Sequence, residues 1–470
     1  MSDAKTMALS ICALAVVAHA AVAGREDDWR AIDARPVPEW WQDAKFGIFI
    51  HWGPYSVPAY APTDGTNVYA CYSEWYHGRL LRGQADFTSH HAQNHGGAPY
   101  GNFAASFSAR FFDPNKWAEL FRRAGAKYVV LTSKHHDGYA LWPSPESPYY
   151  NSAVIGPGRD IAGELTRAVK SAGLKSGFYY SLLEYANPNY PHCERYSGGA
   201  IKAAAGASPA KWAREMNIPQ MKELVENYGA DIIWTDGEWD MTDEELGSRD
   251  FLRWLYGESK MRDTIVVNDR WGKGCRGKHG GHYTTEYAFA GGSQDGLSES
   301  HPWEECRGIG RSFGFNRFET SEQYMTSDEC IRLLVKVVSN GGNLLLNIGP
   351  DADGLIPPIM EERLLDVGGW LEVNGEAIYG TRARKRGRRH VSDKVFFTEG
   401  RGGVLYAIAT TRPQGETHLG TVGNVSRVSM LGETADVSWR TDDLGLVVSV
   451  AADARLDGRH AWVFKIVTEQ

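Results

Sequence analysis

Short apolar runs alternate with amphipathic stretches from about residue 46 to residue 350 of the chain. The runs are dense in β-branched and aromatic residues, as strands buried on both faces usually are. Several of the stretches between them repeat apolar residues at helical spacing. Strands are predicted at residues 46–51, 128–131, 175–181, 231–235, 264–268, 282–286, 312–315 and 343–348, and helices at residues 115–126, 160–172, 219–228 and 330–338. This alternation predicts an α/β fold, a (β/α)8-like TIM barrel.

The pattern changes after a last long helix, which is predicted at residues 360–373. Short segments of alternating apolar and polar residues follow, separated by Gly and Asp turns. These segments lie at residues 394–398, 404–409, 427–431, 436–440, 444–450 and 461–467. Their pattern is typical of an antiparallel β-sandwich. We therefore predict a (β/α)8-like barrel domain at residues 24–380 and a C-terminal β-sandwich at residues 381–470.

The first 23 residues have the pattern of a signal peptide. Lys5 precedes an apolar stretch at residues 7–17, and Ala21-Val22-Ala23 forms a small-residue cleavage site. Cleavage near Ala23 predicts export to the medium, the periplasm or a lysosome, and the sequence does not choose among them. No later segment has the roughly 20 uninterrupted apolar residues of a membrane-spanning helix. We therefore expect no membrane partner.

Composition narrows the class of partner. The formal net charge of −8 disfavours a nucleic acid. The chain contains 16 Trp and 22 Tyr, and aromatic faces are common in sites that bind the apolar side of a pyranose. Five cysteines follow the predicted cleavage site. Because an odd number in an exported chain implies a free thiol or a bond between chains, a homo-oligomer is one alternative.

Polar residues end or follow most of the predicted strands. His51 ends the first, Tyr179 lies in the third, and Asp236, Arg270 and Glu286 stand at the ends of the next three. Strand carboxyl ends of a TIM barrel converge on the active site, so these residues should share one pocket. The chain has neither a Gly-rich phosphate loop nor a nucleophile elbow around Ser or Cys. Two carboxylates among imidazoles and aromatic rings predict hydrolysis of a glycosidic bond.

Several long motifs carry a resemblance to a known family. They are FGIFIHWG (46–53), SEWY (73–76), AKYVVLTSKHHDG (126–138), GFYYSL (177–182), WTDGEW (234–239), VNDRWG (267–272) and SNGGNLLLNIGP (339–350). On these residues the chain resembles the α-L-fucosidases of glycoside hydrolase family 29, above all their lysosomal-type and broad-specificity members. The resemblance implies a retaining exo-hydrolase that removes terminal α-L-fucosyl residues from fucosylated oligosaccharides or glycoconjugates, without a cofactor or a metal.

The resemblance also implies roles for individual residues. Asp236 matches the nucleophile, which forms a covalent fucosyl-Asp intermediate, and Glu286 matches the general acid/base. Arg270 matches an arginine near these carboxylates, and Phe313 matches an aromatic that packs on the fucose methyl group. The residues that match those holding the fucose hydroxyls are His51, Glu74, Trp75, His135, His136 and Tyr179.

Rival carboxylates exist for both catalytic roles. Glu238 follows Asp236 by two positions, so on an extended chain it points to the same side. A Gly-rich insert at residues 274–281 separates Arg270 from Glu286 and weakens the motif match there. The other candidates for the acid/base are Glu299, Glu304 and Glu305.

The histidines raise two further questions. His135 and His136 are adjacent and would face opposite ways on a regular strand, so both reach the pocket only if the strand end is distorted. Four more could suggest a metal site, but their spacing fits no zinc motif, and we expect a loop over the pocket rim at residues 61–100. These four are His77, His90, His91 and His95.

Three other functions remain as alternatives. The chain could be a fucose-binding lectin without activity, which the presence of two candidate carboxylates disfavours. It could cleave a related sugar such as an α-L-galactoside, although an aromatic beside the C5 substituent favours a methyl group. It could also be a metal hydrolase that uses the histidines.

Overall fold

The computed structural model describes residues 26–65, 67–287, 301–385, 390–392, 394–434, 436–451 and 453–469. The predicted signal peptide at residues 1–23 lies outside these ranges. In the part of the chain that is described, no helix combines the length and the apolar character needed to cross a membrane.

A single sheet of eight parallel strands forms the larger part of the molecule. Its strands are β1 Phe46–Ile50, β2 Tyr128–Lys134, β3 Lys175–Ser181, β4 Ile232–Asp236, β5 Val266–Val267, β6 Tyr283–Glu286, β7 Trp303–Gly308 and β8 Asn343–Ile348. They lie in the order β5-β4-β3-β2-β1-β8-β7-β6. The sheet curls until its edges meet, since the His282 amide donates to the Val267 carbonyl at 3.1 Å. The predicted α/β class with eight parallel strands is therefore confirmed.

Helices follow β1, β2, β3, β4, β7 and β8, and several begin at the polar residues that cap them. Asp113 and Asp160 accept hydrogen bonds from the first turns of two helices, and Thr326 forms a capping box with Glu329. The helices between the strands or after the last one are Pro114–Arg123, Ile161–Ser171, Ile218–Tyr228, Ser248–Gly257, Ser327–Ser339 and Pro358–Asn374. Further helices are Glu39–Ala44, Tyr76–Leu81, Ala85–His95, Asn102–Ser106, Cys193–Tyr196 and Pro209–Trp212.

The strands feed two separate cores because their side chains alternate. In β4, Ile232 and Trp234 belong to the cluster inside the barrel, whereas Ile233 packs outward in the cluster that includes the helices. Every residue of β4 is buried, which explains the nearly continuous apolar run that predicted it. The same alternation places Asp236 on the interior side at the carboxyl end of the strand.

Two local predictions are wrong. The seventh strand is Trp303–Gly308, and residues 312–315 lie in the loop after it. This strand buries Glu304 and Glu305, so a search for apolar runs passes over it. The segment at residues 61–100 is largely helical rather than a loop over the rim.

The C-terminal part contains two antiparallel sheets. Their strands are β9 Arg382–Ala383, β10 His390–Ser392, β11 Val395–Glu399, β12 Leu405–Ala409, β13 Gly415–Gly420, β14 Val425–Met430, β15 Val437–Asp442, β16 Gly445–Val450 and β17 Trp462–Thr468. One sheet has the order β10-β11-β12-β17-β14, with β9 on β11, and the other has the order β13-β16-β15. Phe397 and Phe464 from the first sheet share a buried cluster with Leu446 and Val448 from the second.

This C-terminal part packs on the barrel. The Trp370 indole of the last barrel helix donates to the Ala461 carbonyl at 2.9 Å, and Arg382 pairs with Asp43 at 2.6 Å. The five cysteines of the described residues are buried free thiols, so none of them links this part to the barrel.

Candidate active site

The polar residues predicted from the strand ends meet at one end of the barrel. Ring contacts connect His51 to Phe313 and His135, and His135 to Tyr179. Hydrogen bonds then connect Tyr179 to Asp236, Asp236 to Arg270, and Arg270 to Glu286. Glu74 joins the group by accepting a hydrogen bond from the Gly314 amide in the loop that carries Phe313. Trp75 joins it through a ring contact with His136. The structure thus brings together all ten residues that the sequence assigned to this pocket.

Asp236 ends β4 and has partners on both carboxylate oxygens. Its Oδ1 accepts from the Arg270 guanidinium at 2.7 Å, and its Oδ2 accepts from the Tyr179 hydroxyl at 2.9 Å. The His136 Nε2 lies 3.4 Å from the same Oδ2. These contacts fix the carboxylate at the barrel mouth with 13% of its side chain exposed, which leaves one edge open to a substrate.

The charge of Asp236 is held by its neighbours. Burial alone would raise the pKa of this carboxyl, but the positive charge of Arg270 and the His136 imidazole outweigh it and hold the pKa well below its usual range. Asp236 is therefore ionised across the neutral range, as a nucleophilic carboxylate needs to be.

Arg270 joins the two candidate catalytic carboxylates. Its Nη1 contacts Asp236 at 2.7 Å and its Nη2 contacts Glu286 at 3.3 Å. Its Nε donates to the Thr284 hydroxyl, and the guanidinium lies over the Trp234 ring at 4.4 Å. Both carboxylates are thus within reach of one guanidinium, which suits the roughly 5–5.5 Å separation of a retaining glycosidase.

Glu286 ends β6 and is less enclosed than Asp236. Its Oε1 accepts from the Tyr72 hydroxyl at 2.9 Å, and 17% of its side chain is exposed. The longer contact to Arg270 binds this carboxyl less firmly than Asp236. Its geometry therefore suits a group that exchanges a proton with a ligand in the pocket.

Replacing Arg270 should move the acid limb of the pH profile. In Arg270→Met, burial acts on Asp236 without the opposing positive charge, so the pKa of Asp236 rises. Catalysis that needs the ionised carboxylate should then fail at a higher pH, and kcat/KM measured against pH should show its acid limb displaced upward. Arg270→Lys keeps the charge and should displace the limb less. An acid limb that stays in place in both variants would contradict this account of Asp236.

His51 is held in one tautomer. Its Nδ1 lies 2.7 Å from the Asn347 Oδ1, and the Asn347 amide nitrogen donates to the Phe313 carbonyl. Because the Asn347 Oδ1 carries no hydrogen and can only accept, the proton of His51 sits on Nδ1 and its Nε2 is free to accept. Burial lowers the pKa of His51 to about 3, so the ring is neutral. His51 can thus accept a hydrogen bond from a sugar hydroxyl.

The distortion expected around His135 and His136 is present. The register between β2 and β3 shifts between Thr132 and Lys134, directly before the two histidines. The His136 Nδ1 contacts the Ser181 hydroxyl at 2.6 Å, while the His135 Nδ1 is buried with no hydrogen-bond partner among the described residues. Both rings therefore reach the pocket, where burial lowers the pKa of His135 well below its usual value.

Glu74 is a buried carboxyl that backs the Phe313 loop. Its Oε2 accepts from the Gly314 amide at 2.8 Å and lies 3.3 Å from the Ser312 hydroxyl. Burial raises the pKa of Glu74 to about 7, so the group carries a proton through much of the acidic range. It can then donate to a sugar oxygen.

Aromatic rings form the walls of the pocket. Phe313 is buried beside His51 and Tyr72, with ring centroids 4.8 and 5.3 Å away. On another side, Trp75 stacks with Trp239 at 6.0 Å. Such surfaces suit the apolar face of a pyranose and a methyl substituent.

The rival carboxylates are placed differently from Asp236 and Glu286. Glu304 is buried inside the barrel, where it accepts from the Trp234 indole and the Tyr128 hydroxyl. Glu305 is fully buried, and Glu299 lies outside the described residues. Glu238 pairs with Arg276 at 2.9 Å, and burial raises its pKa. It remains the nearest rival, since its Oε2 is buried with no hydrogen-bond partner among the described residues.

The other four histidines are used in packing. His91 contacts the Tyr76 hydroxyl at 3.0 Å, His77 stacks on Tyr100 at 4.0 Å, and His90 stacks on Tyr60. His95 packs against the ring of His91. No group of three or more potential metal ligands occurs in the described part of the chain.

Two residues of the site were missed by the sequence reasoning. Trp234 precedes Asp236 by two positions, so strand alternation could have placed it inside the barrel beneath Arg270. Tyr72, which donates to Glu286, lies in an irregular segment and carried no such signal.

The fold and this paired-carboxylate site define a glycoside hydrolase built on a barrel of parallel strands.

Comparison with known proteins identifies the family. The α-L-fucosidase family model matches residues 12–376. The tissue α-L-fucosidase of Homo sapiens is 39% identical over 450 residues, covering 93% of this chain and 91% of the relative. The α-L-fucosidase of Dictyostelium discoideum is 44% identical over 359 residues, covering 75% of this chain and 74% of the relative. The chain belongs to the α-L-fucosidase family.

A solved structure gives the same answer. The crystal structure of Thermotoga maritima α-fucosidase in complex with a mechanism-based inhibitor superposes with a TM-score of 0.79 at 34% sequence identity. The match covers 93% of this chain and 99% of that one. The family resemblance drawn from the motifs is therefore confirmed.

Proposed function

We propose that this chain is a retaining exo-α-L-fucosidase with Asp236 as its nucleophile and Glu286 as its acid/base. In the first step an Asp236 oxygen attacks the anomeric carbon, the bond to the leaving oxygen breaks, and Glu286 gives that oxygen its proton. In the second step Glu286 takes a proton from water, whose oxygen attacks the same carbon and releases Asp236. Two inversions give net retention.

The observation that carries this proposal is that Arg270 contacts the two carboxyl groups at unequal distances. The short contact and the lowered pKa keep Asp236 ionised, as the attacking group must be. The contact to Glu286 is 0.6 Å longer (3.3 against 2.7 Å), and Tyr72 occupies only its Oε1. Glu286 is therefore held less tightly than Asp236, by one long contact from Arg270 on its Oε2 and one hydrogen bond from Tyr72 on its Oε1.

The remaining residues support a terminal fucosyl unit as the substrate. His51 offers a fixed acceptor and the protonated Glu74 a donor, so ring hydroxyls find partners of both kinds. Phe313 supplies an apolar surface for the C5 methyl group, where an α-L-galactoside would place a hydroxymethyl. The substrates would be fucosylated oligosaccharides or glycoconjugates.

The stereochemical course of hydrolysis tests the proposal. Proton NMR of an aryl α-L-fucoside during its hydrolysis should show α-L-fucose first, with the β-anomer appearing only as mutarotation proceeds. The same spectra recorded with an aryl α-L-galactoside should show much slower release. Initial formation of β-L-fucose would contradict the two-step mechanism, and the absence of hydrolysis would favour a lectin.

The proposed organisation of the chain follows the sequence prediction. Residues 1–23 would be a signal peptide, and the mature enzyme would be secreted, periplasmic or lysosomal. Residues 24–380 would form the catalytic barrel and residues 381–470 a β-sandwich. The buried cluster shared by the two antiparallel sheets supports the sandwich.

A further inference from the structure

A second cavity opens beside the catalytic pocket. It has a volume of about 700 Å³, which lies in the range of roughly 300–1,000 Å³ that is usual for small-molecule sites. The segments that follow β1, β2 and β3 enclose it, so it lies on the face of the barrel where the active site also lies. Among its lining residues are His77, Tyr100, Asp137, Tyr149, Glu184 and Asn187.

This cavity is separate from the catalytic pocket. None of the ten residues assigned to the fucose site lines it. Tyr185 stands between the two, with its ring 5.4 Å from the His136 ring and 6.2 Å from the His77 ring. The partition is also continuous along the chain, since Asp137 directly follows His136 and lines the second cavity.

Buried carboxylates in the wall are fixed in position. Asp137 accepts from the Tyr100 hydroxyl at 2.7 Å, and Glu184 accepts from Lys134 at 2.7 Å and from Asn187 at 2.8 Å. Each carboxylate oxygen can accept more than one hydrogen bond, so these oxygens keep capacity for a ligand. Because their present partners hold them in place, binding costs little conformational entropy.

Aromatic rings also line the cavity, beside the carboxylate oxygens of its wall. His77 stacks on Tyr100 with ring centroids 4.0 Å apart, and its Nδ1 is buried with no hydrogen-bond partner among the described residues. Tyr149 stands at the rim with 85% of its surface exposed. Among the described residues, the lining contains neither Lys nor Arg, while Asp137, Glu184 and Glu146 contribute carboxylates, so an anionic ligand is disfavoured.

From this combination we propose that the cavity binds a neutral pyranose, a sugar unit of a glycan other than the fucosyl unit in the catalytic pocket. Fixed carboxylates accept hydrogen bonds from ring hydroxyls, and the rings of Tyr149 and His77 cover the apolar face of the sugar. The enzyme would then hold a glycan at two places on one face, which raises its apparent affinity for branched or long substrates.

Binding of simple glycosides tests this second site in the full-length mature chain. The probes are methyl β-D-galactoside, methyl β-D-N-acetylglucosaminide and methyl α-D-mannoside, titrated by saturation-transfer NMR with the catalytic pocket filled by one equivalent of 1-deoxyfuconojirimycin, a cationic fucose analogue. At least one probe should bind with a Kd of about 1–10 mM, a common affinity scale for weak ligands. Sorbitol, glucuronate and choline serve as acyclic, anionic and cationic comparisons and should bind at least about tenfold more weakly.

Two variants localise the binding. Tyr149→Ala removes a ring at the rim, and Ala98→Trp fills the cavity from a half-exposed position. Each should weaken the binding of the probe by about tenfold or more. Phe111→Ala, which removes an exposed ring outside the cavity, should leave it unchanged. Thermal melting checks that all three variants fold.

Several outcomes would overturn the proposal. The site is not a pyranose site if no glycoside binds while the catalytic pocket is filled, or if choline or glucuronate alone binds. Binding that survives unchanged in both Tyr149→Ala and Ala98→Trp places the sugar elsewhere. Each of these results is independent of which carboxylates perform the hydrolysis.

Discussion

Asp236→Ala should lose turnover of an aryl α-L-fucoside by about 1,000-fold or more while the chain stays folded. The variant lacks the oxygen that attacks the anomeric carbon, and no other described carboxylate occupies that position against Arg270 and Tyr179. Steady-state kcat and kcat/KM measure the loss, and circular dichroism reports the fold. Retention of more than about 3% of the wild-type rate would contradict the assignment, because loss of a nucleophile is far more severe than that.

Asp231→Ala is the matched control for this variant. Asp231 lies just before β4, at the opposite end of the strand, where it is buried and pairs with Lys175 at 3.0 Å. Removing it should lower the melting temperature, since the buried Ser176 amide and the half-exposed Lys175 lose their acceptor. It should leave kcat near the wild-type value. Comparable losses of kcat in both variants would show that the strand, rather than the Asp236 carboxylate, is at fault.

Glu286→Ala should show a loss that depends on the leaving group. A proton donor matters most for a poor leaving group, so cleavage of a natural glycoside should fall by roughly 100- to 10,000-fold. Cleavage of an activated aryl fucoside should fall much less in its first step, since that leaving group departs without a proton. The ratio of kcat/KM between the two substrates measures the effect, and equal losses would argue against an acid role. Glu238→Ala is the comparison, because Glu238 is the nearest rival.

Added azide separates the two roles by product stereochemistry. In Glu286→Ala, Asp236 inverts the anomeric carbon and azide inverts it again, so the product is the α-fucosyl azide. In Asp236→Ala, azide attacks once from the vacated side and gives the β-fucosyl azide. Exchanged products would exchange the two assignments.

Much of the fold could be predicted because strands buried on both faces leave a strong apolar signal. β3 and β8 were predicted to the residue, as all but one of their positions are buried. β7 was missed because Glu304 and Glu305 lie inside it, held by partners that only the folded chain provides. The strand β13 in the C-terminal part was missed for a related reason, since Leu419 is the only buried one of its six positions.

The candidate site was predicted from strand ends and motifs, and its residues do meet. The contacts that these side chains make with one another could not be predicted in the same way. That Arg270 bridges Asp236 and Glu286, and that Tyr72 supports Glu286, depends on how β4 and β6 face each other across the barrel. The tautomer of His51 likewise depends on Asn347, which lies 296 positions further along the chain.

Covalent trapping tests the central claim most directly. The wild-type chain is treated with 2-deoxy-2-fluoro-fucosyl fluoride, whose fluorine slows the second step, and is then digested and analysed by mass spectrometry. We predict one fluorofucosyl group per chain, on the peptide that contains Asp236 and on that residue itself. A label on Glu238 or Glu286, or an inactivated enzyme without a label, would contradict the assignment of Asp236 as the nucleophile.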